Sequence, residues 1–168
     1  MLTRAYDDKY WPADLLPVRD QLPRVKAVVV FGGEVPDGCL ELDALLAESD
    51  VVTLHASLTP ASTGLLDDRR LRLMKPTAFI VNTSRGPIVG EAAFIDTMKR
   101  RAIRRAALDV FNIEPLPKGH PLATLDNVVL SPHLGYASED NMRQYFIDAV
   151  ENLEAWLGGN PIRVMGAH

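Results

Sequence analysis

Four short apolar runs in this 168-residue sequence are each followed directly by side chains able to do polar chemistry. Val51-Val52-Thr53-Leu54 leads to His55, and Ala78-Phe79-Ile80-Val81 leads to Asn82-Thr83-Ser84-Arg85-Gly86. Ala106-Ala107-Leu108 leads to Asp109, with Glu114 in the loop just beyond. Val128-Val129-Leu130 leads to Ser131-Pro132-His133-Leu134-Gly135. The set offers a guanidinium fork for an anionic substrate, imidazoles for proton transfer and carboxylates to orient them. Taken singly, each residue also has a bland reading. Arg85 could be a surface charge, His133 a turn residue, Asp109 a strand-end cap, Glu114-Pro115 a loop and His55 a packed loop residue. Convergence is what would turn them into a site.

For these groups to meet, the apolar runs must be strands of one sheet. They are continuous rather than alternating, as expected of parallel strands covered on both faces. Val28–Phe31 reads as a further strand, stopped by Gly32-Gly33. Helices are predicted between the strands. Leu40 to Glu48 carries Leu40, Leu42, Leu45 and Leu46 on one helical face. Asp67 would cap a short helix running through Leu73, which must stop before Pro76. Glu91 to Arg101 places Ala93, Phe94 and Met98 together. Ser138 precedes Glu139 and Asp140, a cap followed by first-turn carboxylates that suit the helix dipole. Met142, Phe146, Ala149, Val150, Leu153, Trp156 and Leu157 then form one apolar stripe, read as core. Gly158-Gly159 stops that helix and Pro161 forbids its restart. Alternation of strand and helix predicts an α/β fold, a doubly wound parallel sheet of Rossmann-like type. Ligands in such sheets bind beyond the carboxyl ends of the strands, where the polar residues lie.

Composition narrows the partners. With 18 Lys and Arg against 22 Asp and Glu, the formal net charge is −4. That mild acidity argues against nucleic acid and against an anionic membrane surface, both of which want a basic face. Cys39 is the single cysteine, so an internal disulfide and a cysteine-cluster metal site are excluded. No apolar run is long enough to cross a membrane, and Arg4, Asp7, Asp8 and Lys9 do not resemble a secretory signal. A cytoplasmic location is the expectation.

Several motifs in order carry a family resemblance. Leu45-Leu46-Ala47-Glu48-Ser49-Asp50-Val51-Val52, Met74-Lys75-Pro76, Val81-Asn82-Thr83-Ser84-Arg85-Gly86-Pro87-Ile88-Val89, Ala107-Leu108-Asp109-Val110-Phe111 with Glu114-Pro115, and Ser131-Pro132-His133-Leu134-Gly135 resemble the D-isomer-specific 2-hydroxyacid dehydrogenases. The resemblance runs over roughly residues 37 to 163. It implies NAD(H)-dependent hydride transfer between a 2-hydroxy acid and its 2-keto acid, with NADP left open. It implies that Arg85 grips the substrate carboxylate and carbonyl oxygen, that His133 is the general acid and base, and that Glu114 holds the His133 ring. Asp109 would meet the nicotinamide carboxamide. Thr83, Ser84, Arg85 and the stretch His133-Leu134-Gly135-Tyr136 match cofactor-touching positions, and His55 matches one on the adenine side. A homodimer or a complementing chain is the implied protein partner.

Departures from the family pattern shape the remaining expectations. The sequence contains no G-x-G, the turn whose backbone amides approach a dinucleotide pyrophosphate. Gly90 stands where the family often has an acidic helix cap. The separate substrate domain has no counterpart here. Residues 1–36 admit two readings, either a ribose-site strand at Val28–Phe31 or the start of a substrate domain joined by an internal deletion. The expected division is an uncertain segment 1–36, a partial dinucleotide-binding domain 37–163 and a tail 164–168. The function expected is a dehydrogenase of weak cofactor affinity on its own. The alternative is a non-catalytic dimerisation or regulatory scaffold, or a fragment, derived from the same family.

Overall fold

The computed structural model describes residues 28–30 and 39–164. Readings that fall on 1–27, 31–38 and 165–168, including the Gly32-Gly33 stop and most of the 1–36 segment, lie outside the described residues. Contacts divide the chain into two compact units, 1–133 and 134–168.

In the first unit, strand β1 (Val28–Val30) pairs parallel with β2 (Cys39–Glu41), and helix α1 (Leu42–Glu48) follows at once. A separate parallel sheet is ordered β3 (Val51–Leu54), β4 (Phe79–Asn82), β5 (Arg105–Leu108) and β6 (Val128–Leu130). Helix α2 (Asp68–Leu71) lies between β3 and β4, and α3 (Glu91–Lys99) between β4 and β5. Register pairs Leu54 with Asn82 and Asn82 with Leu108, so neighbouring strands end side by side. Strand-ending residues are thereby delivered to one edge.

The expected elements recur with two corrections. Leu40 belongs to a strand rather than to the helical face, because Cys39–Glu41 pairs with β1 and the helix begins only at Leu42. The helix after Asp67 is shorter than expected, ending at Leu71. Its cap is as read: the Asp67 carboxylate accepts the Arg70 N–H at 2.8 Å. Leu54, Ile80, Asn82, Ala106 and Leu108 are buried, and they share one face of the sheet with the half-buried Val52, Val128 and Leu130. Leu71 of α2 and Phe94 and Met98 of α3 join the same cluster. On the opposite face the edge strands expose Val51 (59%) and Val129 (66%), while Phe79, Val81 and Ala107 of the central strands are half-buried. Among the described residues, the helices of this unit pack on the face that carries Ile80, Ala106 and Leu108.

The second unit is helix α4 (Glu139–Leu157) with short flanks. Ser138 caps it, its hydroxyl accepting the Asn141 N–H at 3.3 Å. Gly159, at φ 75°, closes it in the left-handed conformation that glycine adopts without strain. The stripe from Met142 to Leu157 was expected to be core. No residue of α4 is buried, and Trp156 is 67% exposed. One helix has no second layer of its own to cover an apolar face. Among the described residues no helix is long and apolar enough to cross a membrane, and no group of three or more His, Cys, Asp or Glu could hold a metal ion.

Candidate active site

The loop after β4 is built by one buried side chain. Asn82, 1% exposed, donates from Nδ2 to the Arg85 carbonyl at 3.0 Å and accepts the Ser84 N–H on Oδ1 at 3.1 Å. Its own carbonyl accepts the Asp109 N–H at 2.9 Å. An amide can donate and accept at once, so a single residue fixes Thr83–Arg85 and ties them to the end of β5. Ser84 adds a hydrogen bond from its hydroxyl to the Ala56 carbonyl. Thr83 and Arg85 are exposed, and Arg85 Nη1 reaches the Ser84 carbonyl at 2.7 Å.

Gly86 brings this loop against the next one. A Cβ there would lie 2.1 Å from the Phe111 carbonyl carbon and 2.6 Å from the Asn112 nitrogen, so only glycine permits the approach. The peptide it meets leads into the Glu114 loop. The Phe111 N–H donates to Glu114 Oε1 at 2.9 Å. Glu114 Oε2 lies 2.6 Å from His133 Nδ1. Both side chains are about one-third exposed, so substrate-sized molecules can reach them. The Glu114–Pro115 peptide is cis.

Electrostatics favour an ionised Glu114. The hydrogen bond from His133, then that from the Phe111 N–H, hold its carboxyl below the usual range, and the charge of Arg85 adds to the lowering. An ionised carboxylate only accepts, so in this pair His133 donates from Nδ1. His133 itself sits at φ 57°. That left-handed conformation costs a non-glycine residue about 1 kcal/mol and persists where surroundings over-determine it, a pattern common at functional sites. A recess of about 340 Å³ adjoins the pair, lined by Phe111, Leu116, Leu130 and Pro132 among others.

The site residues read from the sequence separate into groups. Arg85, Asp109, Glu114 and His133 lie on three neighbouring strand-end loops, with Glu114 and His133 in contact and Arg85 within electrostatic reach of Glu114. Asp109 is 6% exposed at the end of β5. His55 instead pairs with Thr53 of its own strand, Nε2 to Oγ1 at 2.8 Å. Leu134, Gly135 and Tyr136 fall in the second unit, where Tyr136 packs near Tyr145 with ring centroids 6.2 Å apart. Sequence reading gave no role to Asn82 or Gly86. An amide at the end of an apolar strand, before a polar loop, was the available signal for the first. Nothing local marks the second.

Comparison with known proteins bears on this geometry. Residues 33–135 match the family described as D-isomer specific 2-hydroxyacid dehydrogenase, NAD binding domain. The chain is 45% identical over 119 residues to a glyoxylate reductase of Thermofilum pendens, covering 71% of this chain and 35% of that protein. A putative D-3-phosphoglycerate dehydrogenase oxidoreductase from Ralstonia solanacearum superposes with a TM-score of 0.73 at 31% identity, over 97% of this chain and 49% of that one. A D-isomer specific 2-hydroxyacid dehydrogenase from Xanthobacter autotrophicus, solved in complex with NADPH and MES, gives a TM-score of 0.61 at 36% identity, over 80% and 57%. The chain spans less than half the length of the curated relatives it matches.

Proposed function

The chain belongs to the D-isomer specific 2-hydroxyacid dehydrogenase family through its NAD-binding domain, and from that premise we propose that it serves NAD(H)-dependent interconversion of a 2-hydroxy acid and its 2-keto acid. The observation that carries the reading is the His133–Glu114 pair, with its carboxylate anchored on the Phe111 N–H.

In keto-acid reduction, His133 delivers a proton from Nε2 to the carbonyl oxygen, and Glu114 stabilises the ring while it is charged. In the reverse direction His133 takes that proton back. Arg85 offers two parallel N–H donors to the substrate carboxylate and carbonyl oxygen, orienting the reacting carbon.

The donor set suits the nicotinamide end of a cofactor. Asp109, nearly buried at the end of β5, supplies a carboxylate for a carboxamide N–H. Thr83, Ser84, Leu134, Gly135 and Tyr136 are proposed to line the cofactor, with His55 on its adenine side. A bound nicotinamide supplies or accepts the hydride at the substrate carbon. NADP is an alternative to NAD, the Xanthobacter relative having been solved with NADPH. Without a G-x-G in these residues, the affinity of this chain alone is expected to be weak. A homodimer or a complementing chain, and a cytoplasmic location, belong to the same proposal.

An NADH titration of the purified chain tests the reading, with Asp109→Ala as control. Saturable fluorescence change lost in the control supports it, and a 2-keto acid screen follows in which Arg85→Ala abolishes reduction. No binding at millimolar NADH favours the second reading, a non-catalytic scaffold. The exposed apolar stripe of α4 is the observation on that side.

A further inference from the structure

We propose that His120 and Glu91 form a strut that sets the position of Glu114, which makes His120 a positioning residue for the proton-transfer pair. The inference rests on the reading of Glu114 and His133 as that pair.

The segment from Phe111 to Leu122 carries Glu114, yet it has few anchors. Phe111 and Leu122 are buried at its ends. Between them every residue is exposed except Leu116 and His120. Leu116 packs against the hydrophobic core, and from Pro117 to Pro121 His120 is the one side chain that is not exposed. The His120 side chain is only 16% exposed, and its ring orientation is set. Nδ1 accepts the Leu122 N–H at 3.3 Å. That leaves Nε2 as the protonated nitrogen of the neutral ring. Nε2 faces Glu91 Oε1 at 3.6 Å. The separation is longer than a hydrogen bond, so the contact is the attraction of a ring N–H dipole for a carboxylate.

The far end of the contact is well fixed. Glu91 is the first residue of α3, where a carboxylate is favoured by the helix dipole. Its helix follows the Arg85 loop through the short turn Gly86–Ile88. The strut thus joins the side of the site that carries Arg85 to the side that carries Glu114. Gly86 joins the same two loops at their other end, against Phe111 and Asn112. The path from His120 back to Glu114 runs through two prolines and the core-packed Leu116. Pro115 and Pro117 each lock a backbone angle, and the His120 N–H closes a turn onto the Pro117 carbonyl at 3.1 Å.

The tautomer of His133 reads this out without any turnover. In the full chain labelled with 15N, long-range proton–nitrogen correlation spectra distinguish an imidazole protonated on Nδ1 from one protonated on Nε2. Pairing with ionised Glu114 requires the Nδ1–H form. Glu114→Ala should move His133 to the Nε2–H form. His120→Ala should move it the same way, the Nδ1–H form falling from the major to the minor species. His120→Gln keeps an N–H toward Glu91 and should restore it. Where His120→Ala does not fold, Glu91→Ala carries the same comparison. A response to Glu114→Ala with none to His120→Ala or Glu91→Ala overturns the strut alone. No response to Glu114→Ala overturns the pair itself, and the strut with it.

Discussion

The Glu114 carboxylate is held at both oxygens, by the His133 ring at 2.6 Å and by the Phe111 N–H at 2.9 Å. The second bond is made within the loop that carries Glu114. The first reaches across to the loop after β6. A carboxylate fixed in this way cannot swing away when the ring it orients gains or loses a proton.

The pairing should outlast mild acid. His133 first, then the Phe111 N–H, lower the Glu114 carboxyl below the ordinary carboxylate range. A carboxyl lowered on folding contributes stability that is fully present above its unfolded value. That contribution declines as pH falls through the folded value. A carboxyl-carbon NMR titration of Glu114 should therefore show a midpoint below that of a model peptide. His133→Ala should bring the midpoint back up. An ordinary midpoint in the unsubstituted chain would contradict the arrangement.

Gly86→Ala should be costly for a steric reason. The added methyl meets peptide backbone rather than a flexible side-chain end. Overpacking of that kind costs about 1–3 kcal/mol or more. Gly64→Ala is the control, since Gly64 has φ 65° and open space around it. There the left-handed backbone alone costs about 1–2 kcal/mol. Urea unfolding measures both, and the Gly86 variant should also lose the Glu114–His133 contact.

Asn82→Ala should cost about 2 kcal/mol, because it strands the Ser84 N–H and the Arg85 carbonyl together. Asn82→Asp keeps the acceptor for Ser84 but sets a carboxylate against the Arg85 carbonyl, so it should not rescue. Chemical denaturation of the two variants checks the order.

Thr97→Val should raise stability. Thr97 Oγ1 is buried with no hydrogen-bond partner. Replacing that hydroxyl with a methyl of similar shape removes an unmet desolvation cost of about 1 kcal/mol. A lower urea midpoint in this variant would show that the hydroxyl is satisfied in solution.

Much of this was legible in the residues. Val51–Leu54 and Val128–Leu130 coincide with the strands found, because short apolar runs bounded by polar residues have few alternatives. The caps at Asp67 and Ser138 follow from local chemistry and were legible for that reason. Cys39–Glu41 was not, since Leu40 and Leu42 sit as well on a helical face as on a short strand. The stripe of α4 announced a surface that wants cover, and a sequence pattern says nothing about what supplies it. At the site, residue types at strand ends pointed to Arg85, Asp109, Glu114 and His133. The approach of Gly86 to Phe111 and the facing of His120 to Glu91 depend on loop paths between distant segments, which no local pattern encodes.

The difference in burial between the two faces of the sheet sets how this domain tolerates change. Along β3 to β6 the even-numbered side chains pack toward the helices, while the odd-numbered ones are exposed on the edge strands and half-buried at Phe79, Val81 and Ala107. A saturation-mutagenesis map of the isolated chain would alternate most sharply along the edge strands β3 and β6. Positions such as Ile80, Ala106 and Leu108 would reject polar substitutions, while Val51 and Val129 would accept them. Drift would accordingly be channelled to one side of the sheet. Any partner that came to rest on that side would erase the alternation and leave a measurable record of its presence.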